Sequence, residues 1–215
     1  MNTVRILFSK TGRAKYISHL DLNRCMIRAV RRAEIPLWYT EGFNRHPYVT
    51  FAAPLSLGFE GLHETMDIRL EKDMPMQELV CRMNAVMPEG LRILSAAPAE
   101  KKPGDVACAR YRITVGCPIS GVSAFLQQEK IMAEKRTKKK DFKKVDLKPI
   151  LNQSDLVLEP KDFCTEIELT LPSGSSMSIN PSLIIEALQK FAELTDLSAS
   201  IRRLEVYASD GKPFR

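Results

Sequence analysis

Two histidines near the start of the chain stand among cations and aromatic rings, and theirs are the first side chains that could do chemistry. His19 follows Lys10, Arg13, Lys15 and Tyr16, and His46 sits in Gly42-Phe43-Asn44-Arg45-His46-Pro47. Two imidazoles can serve as acid and base at one phosphate, as cleavage of RNA by its own 2′-hydroxyl requires. The loop would have to fold back so that both rings flank that phosphate. The plainer reading, in which the histidines hydrogen-bond loop backbone, is favoured. His19 and His46 are therefore catalytic candidates only, and no motif is specific enough to fix a reaction.

The same residues suit a second chemistry, the binding of a polyanion. A strand ending near Lys10, a glycine turn and a helix start would gather Lys10, Arg13, Lys15, Tyr16 and His19 beside free backbone N–H groups. Phosphates bind at helix N-termini, and a tyrosine can stack a base. An ordinary capped turn explains the same residues equally well. Arg24, Arg28, Arg31 and Arg32 recur as a basic stripe along the helix that follows. Asn44, Arg45 and His46 make their loop a plausible binding surface. The run from Lys135 to Lys144, with Arg136, Lys138, Lys139, Lys140 and Lys143, reads as a nucleic-acid grip, a weakly specific signal that also suits a solubilising loop.

Charge is distributed in alternating blocks. Residues 1–50, 51–100, 101–150 and 151–215 carry net charges of +6, −4, +8 and −4, summing to the chain's +6. Clustered cations attract polyanions and release counterions when phosphates bind. The five cysteines, Cys25, Cys81, Cys108, Cys117 and Cys164, show no C-x-x-C spacing. Neither a disulfide framework nor a metal or cofactor site is expected from them. No apolar run approaches the ~20 residues that span a bilayer, so no membrane partner is expected. The first ten residues read as a strand rather than a signal peptide, which places the protein in the cytoplasm.

These residues need elements to hold them. Val4 to Phe8 alternates as a strand; Ser18 caps a helix with Leu22, Met26, Ala29, Val30 and Ala33 on its core side. Strands follow at 37–40, 48–51 and 65–70, then a helix from Met76 to Met87 and a strand at 91–94. A second set begins with a strand at 111–115 and a helix from Ile119 to Glu134. Strands at 145–151 and 163–171 come next, then a helix opened by Asn180-Pro181 and a last strand at 201–207. The expected class is α+β, as two tandem ferredoxin-like (βαββαβ) halves, 1–97 and 109–215, joined by a linker at 98–108. The sheet faces away from the helices begin with Arg5 and Arg112 and look too polar for a dry core.

Several segments carry a family resemblance. Tyr16-Ile17-Ser18-His19-Leu20-Asp21, Arg28-Ala29-Val30-Arg31-Arg32-Ala33, Ile35-Pro36-Leu37, Gly42-Phe43-Asn44, His46-Pro47 and Pro54-Leu55-Ser56-Leu57-Gly58 resemble the radical SAM-linked protein family. So do Lys135 to Lys139 with Val145-Asp146-Leu147, although Arg45 departs from that family's Asn-Pro-His-Pro loop. The resemblance implies a companion to a radical SAM enzyme, in RNA or ribosome maturation. Together with the basic segments it gives the leading expectation: a non-catalytic module that presents RNA to a radical SAM partner. The alternatives are a metal-independent endoribonuclease using His19 and His46, and a protein adaptor for a radical SAM enzyme.

Overall fold

Val4, Ile6 and Phe8 alternate with Arg5, Leu7 and Ser9, and this period of two builds the first strand, β1 (Asn2–Lys10). The computed structural model describes residues 2–136, 142–174 and 177–215. After a 3-10 turn at Gly12–Tyr16 come α1 (His19–Arg32), β2 (Val49–Phe51), β3 (Glu60–Leu70), α2 (Met76–Asn84) and β4 (Leu91–Pro98). The chain continues through β5 (Val106–Val115), α3 (Ile119–Gln127), β6 (Met132–Arg136), β7 (Phe142–Asp146) and α4 (Lys148–Asn152). It ends with β8 (Val157–Pro160), β9 (Thr165–Pro172), α5 (Ser182–Phe191) and β10 (Ala199–Ala208). This is a mixed α+β chain, in two units: residues 1–107 with 203–215, and residues 108–202.

In the first unit β1 is antiparallel to β3 on one side and to β4 on the other, and β2 pairs with β3. Val4, Ile6, Phe8, Met66, Ile68 and Leu70 bury one sheet face against Leu22, Met26, Ala29 and Val30 of α1 and Leu79 and Met83 of α2. Each large apolar side chain so buried contributes ~1.5–3 kcal/mol. The segment 37–40, expected as a strand, makes only isolated bridges, Leu37 to Leu70 and Tyr39 to Pro47.

The opposite face corrects one expectation. Arg5 is not left open; it is 2% exposed. Its guanidinium forks onto Asp67 with two 2.8 Å bonds and donates to the carbonyls of Lys101 and Arg215. The Phe214 ring lies 3.9 Å from it. A buried arginine is tolerable because every side of its charge is paired or stacked. Arg112, by contrast, keeps 38% of its side chain exposed and pairs with Glu168.

In the second unit β5 and β8 flank β9, all antiparallel, while β6 and β7 form a separate two-stranded pair. The helix expected to run to Glu134 stops at Gln127. Beyond it Ile131 and Ala133 are buried while Met132 and Glu134 are exposed, the alternation of a strand. Pairing with β7 overrides the helical propensity of that segment. The strand expected at 145–151 is split: β7 ends at Asp146 and Lys148 opens α4, with Pro149 in its first turn. The Asp146 carboxylate accepts from the N–H groups of Lys148 and Ile131, fixing that corner. Among the described residues no helix is long and apolar enough to cross a membrane.

Candidate functional site

α1 is built for display. Ser18 accepts from the Asp21 N–H at 3.1 Å and caps it, as its spacing predicts. Leu22, Met26, Ala29 and Val30 are buried, which leaves Arg24, Arg28, Arg31 and Arg32 on the exposed side. A surface groove of about 620 Å³ runs along that side, lined by Asp21, Arg24, Cys25, Arg28, Arg31, Arg32 and Pro88. Four arginines thus line it with one acidic residue, Asp21.

The partners of these arginines are mostly neutral. Arg24 meets Asp21 at 3.3 Å, both well exposed. Arg31 donates to the Tyr39 hydroxyl, and Arg32 donates to the Val86 carbonyl. Arg28 has no ion pair among the described residues. Hydrogen bonds to a phenol and a carbonyl orient a guanidinium without cancelling its charge, so the groove suits an anion. Burial pushes the Cys25 thiol up, against the pull of Arg32 and Arg28, which keeps it from acting as a thiolate.

At the N-terminal end of α1 the structure divides the constellation expected there. Arg13 and Tyr16 are exposed on the 3-10 turn, and the Lys15 ammonium lies 5.1 Å from the Tyr16 ring. Lys10 is inside, 1% exposed, its ammonium turned to the carbonyls of Ile17 at 3.2 Å and Lys15 at 3.4 Å. Glu64 and Arg203, 4% and 3% exposed, form an ion pair that shares this interior. Arg203 also donates to the Ala53 carbonyl. Burial lowers the Lys10 pKa and Arg203 adds to the effect, while Glu64 opposes both. A side chain on Gly61 would collide with the Glu64 carboxylate, its Cβ falling 2.2 Å from an oxygen.

His19 and His46 have separate surroundings. The His19 ring lies edge-on to Phe51 at 5.0 Å, and burial together with the Lys10 charge lowers its pKa. His46 is exposed in the loop, exchanging backbone hydrogen bonds with the backbone and hydroxyl of Thr40. Asn44 and Arg45 are exposed beside it. Lys143 is exposed on β7 opposite Lys135. Of Arg136 only the backbone, at the end of β6, is described, and Lys138, Lys139 and Lys140 lie outside the described residues. Among the described residues no three His, Cys, Asp or Glu side chains gather as a metal site.

Residues that sequence reading did not single out include Glu64 and Arg203, which meet across 139 residues of chain with no local signal. Trp38, Tyr48 and Arg69 also come together, the Arg69 guanidinium lying 4.8 Å from one ring and 4.6 Å from the other. Arg31 and Arg32 were visible in the helical stripe but complete the groove only with Pro88.

No curated protein matches the chain. Among solved structures, an unknown protein from Galdieria sulphuraria aligns over 94% of this chain and 98% of its own at 10% identity, with a TM-score of 0.28. That likeness is too slight to build on. A family model, by contrast, matches residues 3–181, and on that match the chain belongs to the family described as uncharacterized proteins conserved in bacteria (DUF2344).

Proposed function

We propose that this protein binds RNA through the arginine-lined groove of α1 and acts as a non-catalytic module. The observation that carries the reading is the groove itself: Arg24, Arg28, Arg31 and Arg32 line it with a single acidic residue, Asp21, on a capped helix whose other side is locked in the core. Arginine suits phosphate because its planar fork donates two parallel bonds and its charge never titrates away. Arg13 and Tyr16 are exposed on the 3-10 turn that precedes the helix. The order β4-β1-β3-β2 in the first unit supports our reading of that half as a split βαβ plan, and β5-β9-β8 in the second, with β6, β7 and α4 inserted, supplies three of the four strands such a half needs. Partnership with a radical SAM enzyme rests on the sequence resemblance, and co-purification that survives nuclease treatment would test it separately.

The test of RNA binding is its salt dependence. The full chain should bind cellular RNA, and the logarithm of its affinity should fall linearly with the logarithm of salt concentration. Arg28→Ala should weaken binding alike for all sequences and reduce that slope by about 1, the signature of one lost phosphate contact. Its melting temperature should hardly move, because Arg28 is exposed and holds no ion pair among the described residues. Absence of affinity at low salt would overturn the proposal.

A further inference from the structure

Trp38 is the only tryptophan in the chain, and it belongs to a stack that the groove on α1 does not use. Leu37 bridges to Leu70 and Val49 pairs with Ile68, and all four pack into the core of the first unit. Alternation along extended chain then turns Trp38, Tyr48 and Arg69 to the opposite face. The main chain fixes their spacing. Trp38 N–H donates to the Arg69 carbonyl at 2.9 Å, and Tyr48 N–H donates to the Trp38 carbonyl at 3.2 Å. Both rings are half-exposed, and among the described residues Arg69 is held by their faces rather than by a carboxylate.

This arrangement narrows the ligand. An aromatic box that reads a quaternary ammonium needs its cation position free, and here Arg69 fills it. What suits the stack is a flat π system that carries negative charge close by, and a nucleobase on its phosphate has both. The loop at 41–46, which joins Trp38 to Tyr48, adds exposed Asn44, Arg45 and His46, with a fully exposed Phe43 at its tip. Rings alternating with cations are how proteins hold unpaired strands. We propose that Trp38 and Tyr48 stack unpaired bases of single-stranded RNA on the part of each half-exposed ring that Arg69 does not cover, with Arg69 and the loop residues Asn44, Arg45 and His46 on the adjoining ribose-phosphate. This inference rests on the RNA-binding reading above and adds to it a strand class and a second contact face.

The sole tryptophan makes the site its own reporter. The full chain is titrated with a short uridine oligomer and with an abasic ribose-phosphate oligomer of equal length. Binding is followed by anisotropy of labelled oligomer and, with unlabelled oligomer, by Trp38 emission. The uridine oligomer should bind and quench Trp38. The abasic one should bind about tenfold more weakly or worse, without quenching, since stacking is what it lacks. Tyr48→Leu should weaken the uridine oligomer about tenfold and leave the abasic one unchanged. Equal binding of both oligomers with unchanged emission would overturn the stacking site and leave RNA binding standing. If neither oligomer binds at low salt, the RNA reading falls and this inference falls with it.

Discussion

Lys10 and Glu64 are 1% and 4% exposed, and Arg203 beside them is 3% exposed, so two cations and one carboxylate share one interior. Such a set persists only because the carbonyls of Lys15, Ile17 and Ala53 take the remaining donors. Removing Glu64 would leave both cations buried without a carboxylate, which costs on the order of 3–5 kcal/mol. His19 lies at the margin of this set and reports on it. Its pKa is lowered first by burial and then by the Lys10 charge, so the folded protein binds its proton less readily than the unfolded chain does. Stability should therefore fall as the pH drops below the ordinary histidine value of about 6.5 toward the depressed folded value. An NMR titration should show the His19 imidazole changing charge below 6.5, and His19→Gln should flatten the stability profile in that window. Titration of His19 at or above the ordinary value would show that neither burial nor the Lys10 charge depresses it.

Among the elements, α1 presents four of the candidate phosphate contacts, Arg24, Arg28, Arg31 and Arg32, and its first turn hangs on one hydroxyl. Ser18 accepts from the Asp21 N–H and in turn donates to the Asp21 carboxylate. Ser18→Ala should destabilise the fold by ~0.5–2 kcal/mol, read as a shift in a thermal or denaturant melt. A melt unchanged within error would mean that another group caps the helix. This cap was legible in the sequence because capping and the 3.6-residue period are local, and the arginine stripe was legible with it. β6 and α4 were not. Residues 128–134 favour a helix on composition, and only their partner strand β7 shows that Ile131 and Ala133 must alternate inward. The burial of Lys10 was hidden for the same reason. Nothing in the residue types around it separates it from the exposed Arg13: the carbonyls of Lys15 and Ile17 accept from it, but the carboxylate that offsets its charge comes from β3.

For the whole molecule, net charge is a poor guide to where RNA would bind. Residues 1–107 with 203–215 hold 18 Lys and Arg against 14 Asp and Glu, and residues 108–202 hold 14 against 12. Neither unit is strongly basic, so attraction must come from local clusters such as the one on α1. The division of the chain has a sharper consequence. The first unit is not a continuous stretch of sequence: its interior is completed by residues 203–215, which supply Arg203 to Glu64, the Leu204 carbonyl to His63 at 2.9 Å, and Phe214 to Arg5. A fragment of residues 1–107 would leave Glu64 without its guanidinium and uncover the buried Arg5–Asp67 pair. Losses of that kind compare with the whole stability of a small domain, about 5–15 kcal/mol. The fragment should therefore lack a cooperative thermal transition and the near-ultraviolet dichroism of an ordered Trp38. Joining residues 107 and 203 through a Gly/Ser linker should restore both. A sharp melt from the fragment alone would show that the closing segment is dispensable, and that the core formed by β1, β3, β4, α1 and α2 suffices to hold the unit.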